Sequence, residues 1–256
     1  DRSVSRGLGD VYKRQHIPVI LTKSGMKDLV YNDFFVGKNA EVVIVAGCGI
    51  HNSSCDTSEH DGIHRFFLEE GAKVKYIEKH YGEGDGTVKR ILNPVTEIYL
   101  KAGATLEMET VQIKGVDSTI RTTKGELDRD ATLIIKEKIM THGNQIAKTE
   151  FEVNLNGENS STNVISRSVA KDSSKQEFIS RVYGNNACFG HVECDAIIMD
   201  NGEVSSLPQV TAKNIDASLT HEAAIGKIAG EQLIKLMSLG LTEKEAEEQI
   251  INGFLK

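Results

Sequence analysis

One form recurs along the chain at intervals of about 30 residues. Lys38–Val45 (KNAEVVIV), Glu70–Ile77 (EGAKVKYI), Ala102–Glu109 (AGATLEME) and Arg129–Lys136 (RDATLIIK) each carry a turn residue, then alanine, then β-type residues. The alanines are Ala40, Ala72, Ala104 and Ala131. A weaker copy follows at Glu158–Ile165, and the copies run on toward Gly47, Gly82, Gly115 and Gly143. A repeat of this length marks a fold in which each unit buries its apolar side on the next. Alternation within the copies points to strands: in Thr105–Ile113, Leu106, Met108 and Thr110 share one face, and Glu107, Glu109 and Val111 the other. Few stretches between residues 36 and 215 hold a helical period. The reading is a mainly β fold, a solenoid or parallel β-helix of stacked coils, with the four alanines at equivalent corners. The alternative is a two-sheet sandwich whose segments are similar by coincidence.

The last forty residues change character. Glu231–Leu239 follows Gly230 and stops at Gly240, which suits a helix and its C′ glycine. Thr242 and Glu245 then form the ends of a capping box that opens a second helix through about Asn252. The two make a helical hairpin whose Leu233, Met237, Ile250 and Phe254 are expected to form its own core; the bland alternative is that the hairpin simply caps the open edge of the β stack. The expected organisation is a β-helix core over 16–217 and a C-terminal helical segment over 218–256. Residues 1–15 (DRSVSRGLGDVYKRQ) have no signal-peptide character and look like translated adaptor sequence.

Composition narrows the function classes. With 39% hydrophobic residues among 256, the chain has material for a core, so wholesale disorder is excluded. A net charge of −7 is the wrong balance for a protein that neutralises many phosphates, so no nucleic-acid partner is expected. No apolar run approaches the roughly 20 residues of a membrane span. Four cysteines without a secretion signal fit reduced thiols in a cytoplasm.

Two segments concentrate soft ligands. Cys48, His51, Cys55, His60 and His64 lie in one stretch and suit zinc, iron or an iron–sulfur cluster, although their spacing matches no familiar finger; a His-rich surface loop is the bland alternative. In Ala187–Asp195, Cys188 and Cys194 fall on one face of a strand and His191 on the other. His221 and Glu222 adjoin each other in what reads as a surface turn before the helices. The chain carries no P-loop, no dinucleotide fingerprint, no nucleophile elbow and no H-E-x-x-H, so it binds no nucleotide of its own by those means.

The C-terminal third carries a resemblance. Glu193-Cys194-Asp195, Leu207-Pro208, Ala212-Lys213-Asn214, Thr220-His221-Glu222-Ala223-Ala224, Gly226-Lys227-Ile228, Glu231-Gln232-Leu233, Gly240-Leu241, Glu245-Ala246 and Ile251-Asn252-Gly253-Phe254 resemble, in order and spacing, the SufB/SufD family, scaffold subunits of the SUF iron–sulfur cluster assembly system. The resemblance implies a right-handed parallel β-helix followed by helices. It also implies a non-catalytic scaffold on which a transient iron–sulfur cluster is assembled. Cys194 would be the essential cysteine, and His221 and Glu222 would complete a mixed N/O/S site at a subunit interface. The C-terminal helices would bind a SufC-like ABC ATPase, and a homodimer, or a pair with a SufB/SufD paralogue, would form the assembly. The Cys48–His64 segment has no counterpart in the longer members. A SufD-like partner that holds no cluster and a β-helix carbohydrate-active enzyme are the competing readings; the latter lacks its expected row of carboxylate and basic residues.

Overall fold

The computed structural model describes residues 14–51, 56–84 and 89–256. Its strands fall into two parallel sheets of eight strands each. The first sheet holds β1 (Gln15–Leu21), β3 (Glu41–His51), β5 (Lys73–Glu83), β8 (Thr105–Lys114), β10 (Thr132–Thr141), β12 (Ser160–Ala170), β14 (Cys188–Ile198) and β16 (Ala217–Gly226). The second holds β2 (Lys27–Val36), β4 (Ser58–Leu68), β6 (Arg90–Leu92), β7 (Val95–Leu100), β9 (Ser118–Leu127), β11 (Ile146–Leu155), β13 (Lys175–Gly184) and β15 (Glu203–Ala212). The chain passes from sheet to sheet and back, adding one rung to each per coil, so the molecule is a stacked parallel β solenoid. The strand that reads as one in the neighbouring coils is split into β6 and β7 at Asn93-Pro94. Proline brings no N–H to the ladder; the Pro94 carbonyl still accepts from the Thr122 N–H at 3.0 Å.

The repeat seen in the sequence is the corner of each coil. Asn39, Gly71, Gly103, Asp130 and Asn159 all have φ between 56° and 68°. Gly, Asn and Asp are the residues that enter this left-handed region at least cost. At each corner the N–H of that residue reaches the next coil: Gly71 to the Ala102 carbonyl at 3.0 Å, Gly103 to Arg129 at 2.9 Å, Asp130 to Glu158 at 2.9 Å. The residue that follows, alanine at the first four corners and Ser160 at the fifth, donates back to the residue three before it, as Ala104 does to Lys101 at 3.0 Å, closing a turn. Ala72, Ala104 and Ala131 are fully buried because successive corners stack on them. Ala40 occupies the same corner position and is exposed.

Along each strand the side chains alternate. In β8, Leu106, Met108 and Thr110 are buried, as the sequence pattern predicts. The inward set, with Phe66, Tyr76, Leu100, Leu106, Leu133 and Phe151 among its largest members, forms one core running the length of the stack.

Two helices follow: α1 (Gly230–Ser238) and α2 (Glu243–Phe254). The capping box at Thr242 is present, with Glu245 N–H donating to Thr242 Oγ1 at 3.3 Å and Thr242 N–H to Glu245 Oε2 at 2.8 Å. The solenoid continues through β16 to Gly226, so the boundary expected at 217/218 falls at the start of a strand, and His221 and Glu222 sit in that strand rather than in a turn. The hairpin does not cap the open edge, the alternative reading of its role. Ile251 and Leu255 of α2 lie on Val169, with Met140, Ile197 and Phe254 around them, on the outer face of the first sheet. Arg167 lies over the Phe254 ring at 6.0 Å, and Lys138 Nζ donates to the Lys256 carbonyl at 2.6 Å. No residue of α1 is buried, and its Met237, assigned to the hairpin core by its spacing, is 43% exposed. Neither helix is long and apolar enough to cross a membrane.

The corners provide a stability test. Ala104→Leu inserts methylenes into a closed stack and is expected to cost about 1–3 kcal/mol, whereas Ala40→Leu at the exposed equivalent corner should stay within about 0.5 kcal/mol. Urea unfolding of the two variants beside the parent measures both.

Candidate functional site

Parallel pairing in register lines up one inward position from coil to coil. In the first sheet Glu78, Thr110, Glu137, Ser166, Cys194 and Ala223 are successive Cα partners across β5, β8, β10, β12, β14 and β16. The core therefore carries a polar column that ends at Cys194, in the next-to-last strand of the sheet.

Cys194 is 2% exposed, and Cys188 shares its inward face while His191 faces outward, as the alternation predicts. Burial pushes the Cys194 thiol up to about 11; Glu137 and Asp195 push in the same direction and Ser206 opposes them. His221 lies on β16 beside Val192, and Ala223 lies beside Cys194. His221 and Cys194 thus share the inner face, one strand and two residues apart, or about 8 Å between Cα atoms from strand spacing and rise. Both ring nitrogens of His221 are shielded from solvent and lack a hydrogen-bond partner among the described residues. Burial lowers the His221 pKa, with His191 adding to the effect, so the ring is neutral near pH 7 and carries a free lone pair.

Glu222 is exposed and lies on the opposite face, beside Glu193. That outer row also holds His191 and Asp195. Burial and the neighbouring Asp195 raise the Glu193 pKa, while Arg167 and His191 moderate the rise. Within one chain, then, Cys194 and His221 come together and Glu222 does not join them.

The end of the stack beyond these residues is open. β15 and β16 are the last strands of their sheets, and they leave Leu207 52%, Val210 47% and Ile225 39% exposed.

Within the Cys48–His64 segment, residues 48–51 and 58–64 are strand rather than loop. Cys48 lies inward on β3, and His60 and His64 inward on β4, each at most 4% exposed. His51 is at the surface, 3.8 Å from Glu83, and Cys55 lies outside the described residues. Cys48, His60, His64 and His80 line a small interior cavity with Gly62, Leu92 and Pro94. Burial pushes the Cys48 thiol up to about 12, with Glu78 adding to the effect and Arg121 opposing it. Among the described residues, no three His, Cys, Asp or Glu side chains converge in metal-ligating geometry.

An ion cluster that the sequence reading missed lies beside that cavity. Glu78, fully buried, accepts from Arg121 Nη1 at 2.7 Å and from the Tyr76 hydroxyl at 3.0 Å. Arg121 also lies 3.5 Å from Glu137, which accepts from Ser166 at 2.8 Å and Thr149 at 3.1 Å. Burial alone would raise the Glu78 pKa, but His80 and Arg121 outweigh it and hold the carboxyl well below its usual range. Burial raises the Glu137 pKa, and its partners offset that only in part. The signal for this cluster was the alternation itself, which puts Glu78 and His80 inward beside Val74 and Tyr76.

The SufBD core domain of SUF-system FeS cluster assembly matches residues 34–254. The chain belongs to the SufBD core family. Iron–sulfur cluster assembly SufBD family proteins of Archaeoglobus fulgidus and Methanocaldococcus jannaschii are 30% and 27% identical to it, each over 94% of the chain. The chain spans 64% of the first and 75% of the second. The iron–sulfur cluster assembly protein SufB of Bacillus subtilis is 37% identical over 102 residues, 38% of this chain and 22% of that protein. Membership links the SufBD-type chain to iron–sulfur clusters and to the SUF system.

The two raised thiols give a pH dependence. Unfolded cysteines titrate near their ordinary 9.0, whereas folded Cys194 and Cys48 hold their protons to about 11 and about 12. Their contribution to stability is complete below pH 9 and is lost as the pH rises through that window. Unfolding free energy should fall between pH 9 and 11, and more shallowly in Cys48→Ala. Chemical denaturation across this range checks it.

Proposed function

We propose that the chain is a non-catalytic scaffold on which an iron–sulfur cluster is assembled, with Cys194 and His221 as ligands. The reading rests on one observation above all. A neutral imidazole with two unbonded, shielded nitrogens shares the inner face of the open terminal coil with a buried thiol. An unpartnered buried nitrogen is costly, and a metal ion removes that cost. Iron and sulfide are cargo here. Cys194 binds them as thiolate, so loading displaces a proton from a group that otherwise keeps it. Mixed nitrogen and sulfur ligation holds a cluster less firmly than four thiolates, which suits a cluster that is handed on.

Glu222 projects from the opposite face of the same edge strand, so its contribution comes across an interface. A second copy, or a SufB/SufD paralogue, meeting β15 and β16 edge to edge brings the Glu222 of one protomer toward the site of the other. The exposed Leu207, Val210 and Ile225 are the apolar material for that contact. A SufC-like ATPase docks on α1 and the residue that ends it, where Ile234, Met237 and Leu239 are 68%, 43% and 73% exposed. The assembly works in the cytoplasm.

Anaerobic reconstitution with iron and sulfide tests the site. Cys194→Ser should fold as the parent does and lose the cluster's visible absorption, His221→Ala should retain only a weakened cluster, and Cys48→Ser should load as the parent does. Equal loading by Cys194→Ser refutes the assignment and moves the site to other side chains, whereas a parent chain that takes up no cluster favours a partner that holds none itself.

Docking is tested separately. Because α1 buries nothing, Ile234→Asp with Met237→Asp leaves the fold intact. It should weaken binding to a SufC-like ATPase by about 2 kcal/mol or more, as loss of an apolar hot spot does. Unchanged co-purification rules out this face.

A further inference from the structure

Among the described residues β1 and β16 end the first sheet, and β2 and β15 end the second. Edge strands that stay unpaired tend to be short, charged or interrupted by proline, which brings no N–H to a further ladder. β1 has 7 residues with Pro18 at its centre, and β15 carries Pro208. β2 has 10 residues, with neither proline nor glycine, and among the described residues it pairs only with β4. It is also short of cover. Its inward Asp28, Val30, Asn32 and Phe34 are half-buried, whereas their register neighbours on β4, His60, Gly62, His64 and Phe66, are buried. On its outer face Leu29, Tyr31 and Phe35 are 53%, 60% and 76% exposed. One more strand on this edge removes the difference.

The strand that fits is β2 itself. When two copies of a strand pair antiparallel about a two-fold axis, side chains directly opposite each other share a face, so inner residues meet inner ones only if the axis passes through a residue. With the axis at Val30, Lys27 faces the other copy's Asp33 and Leu29 faces Tyr31 on the outer face. On the inner face Asp28 meets Asn32, and the two Val30 side chains meet each other. Every neighbouring register sets a charge against an apolar group: Lys27 against Tyr31 with the axis at Leu29, Asp33 against Leu29 with it at Tyr31, and Asp33 against Tyr31 with it at Asn32. Within each copy Lys27 already pairs with Glu59 at 3.0 Å, and Arg65 with Asp33 at 2.7 and 3.0 Å. The register at Val30 therefore joins Glu59, Lys27, Asp33 and Arg65 into a row of alternating sign that crosses the axis twice.

We propose that β2 is a self-association edge, to which a second copy of this chain adds its own β2, antiparallel about a two-fold axis at Val30. The second sheet then runs on through the interface, Val30 and Phe34 gain cover, and Leu29 and Tyr31 of each copy shield those of the other. The contact is isologous, because one patch serves both sides. It is independent of the reading of Cys194 and His221, and it lies at the opposite end of the stack from the contact inferred at β15 and β16.

The test is made in a Leu207→Asp, Ile225→Asp background, which removes the apolar contact at the other end. Sedimentation velocity should show this chain in a concentration-dependent equilibrium between monomer and dimer. Adding Leu29→Lys with Tyr31→Lys, both at exposed positions, should leave thermal unfolding unchanged and give monomer only. Lys27→Glu alone sets like charges together twice across the axis and should weaken the dimer about tenfold. Lys27→Glu with Asp33→Lys restores opposite signs and should recover the affinity, which a loss of ion pairs within one copy cannot do. A background chain that stays monomeric overturns the proposal, as does one that remains dimeric with Leu29→Lys and Tyr31→Lys. A charge-exchanged double variant that binds itself no better than Lys27→Glu also overturns it. The wild-type chain supplies a measurement independent of any variant. The alternate β2 amides that do not face β4 should exchange with solvent more slowly as protein concentration rises. Full protection of those amides at the lowest concentration means that a strand of the same chain holds the edge, and overturns the second copy as its occupant.

Discussion

Everything in this molecule depends on parallel strands stacked in register. Each coil hydrogen-bonds to the coil before and after it, so an inward side chain has inward neighbours from both. A position once assigned to the interior stays interior along the column. For apolar residues the result is a continuous core from Ile44 to Val192. For polar residues, a buried group in one coil is satisfied by side chains of adjacent coils or of the facing sheet, because water does not reach it.

The Glu78–Arg121–Glu137 cluster shows this constraint at its strictest. Burying one carboxylate without a partner is prohibitive, and two around one guanidinium still leave unequal shares. Glu78 takes the closer contact at 2.7 Å and is held well below its usual range, while Glu137 sits 3.5 Å from the guanidinium and is raised. Hydroxyls of Thr149 and Ser166 complete Glu137. Ser166 is in turn the register neighbour of Cys194. The charged middle of the stack is thereby joined through one polar column to the thiol near its open end.

The same stacking leaves the last strands of the column unfinished. Cys194 is still covered, since β16 lies beyond it, but His221 on β16 has no further coil, and its ring nitrogens find no partner among the described residues. The helices do not close this end, because their apolar residues find Val169, Met140 and Ile197 on the outside of the first sheet instead. A thiol, an imidazole and an apolar rim thus lie together at the unpaired edge of the stack.

The sequence by itself determined the coil. The Asn, Gly or Asp before each alanine marked the corners, the alternation assigned inside and outside, and Thr242 with Glu245 marked the start of the last helix. These are local properties, carried within about ten residues of one strand or turn. Cys194 and His221 could be named from the order of short motifs along the chain, while their common inward face follows only from the register of β14 and β16. Only the tertiary structure decided which inward residue meets which. Arg121 reaches Glu78 across 43 residues and from the opposite sheet. The His-rich stretch reads as loop because its Gly, Asn, Ser and His residues have little strand preference, yet the ladder to β2 and β5 draws its described residues into β3 and β4 and turns Cys48, His60 and His64 inward. Register between coils is set by the sum of turn lengths and by the whole ladder, and no single stretch of sequence contains it.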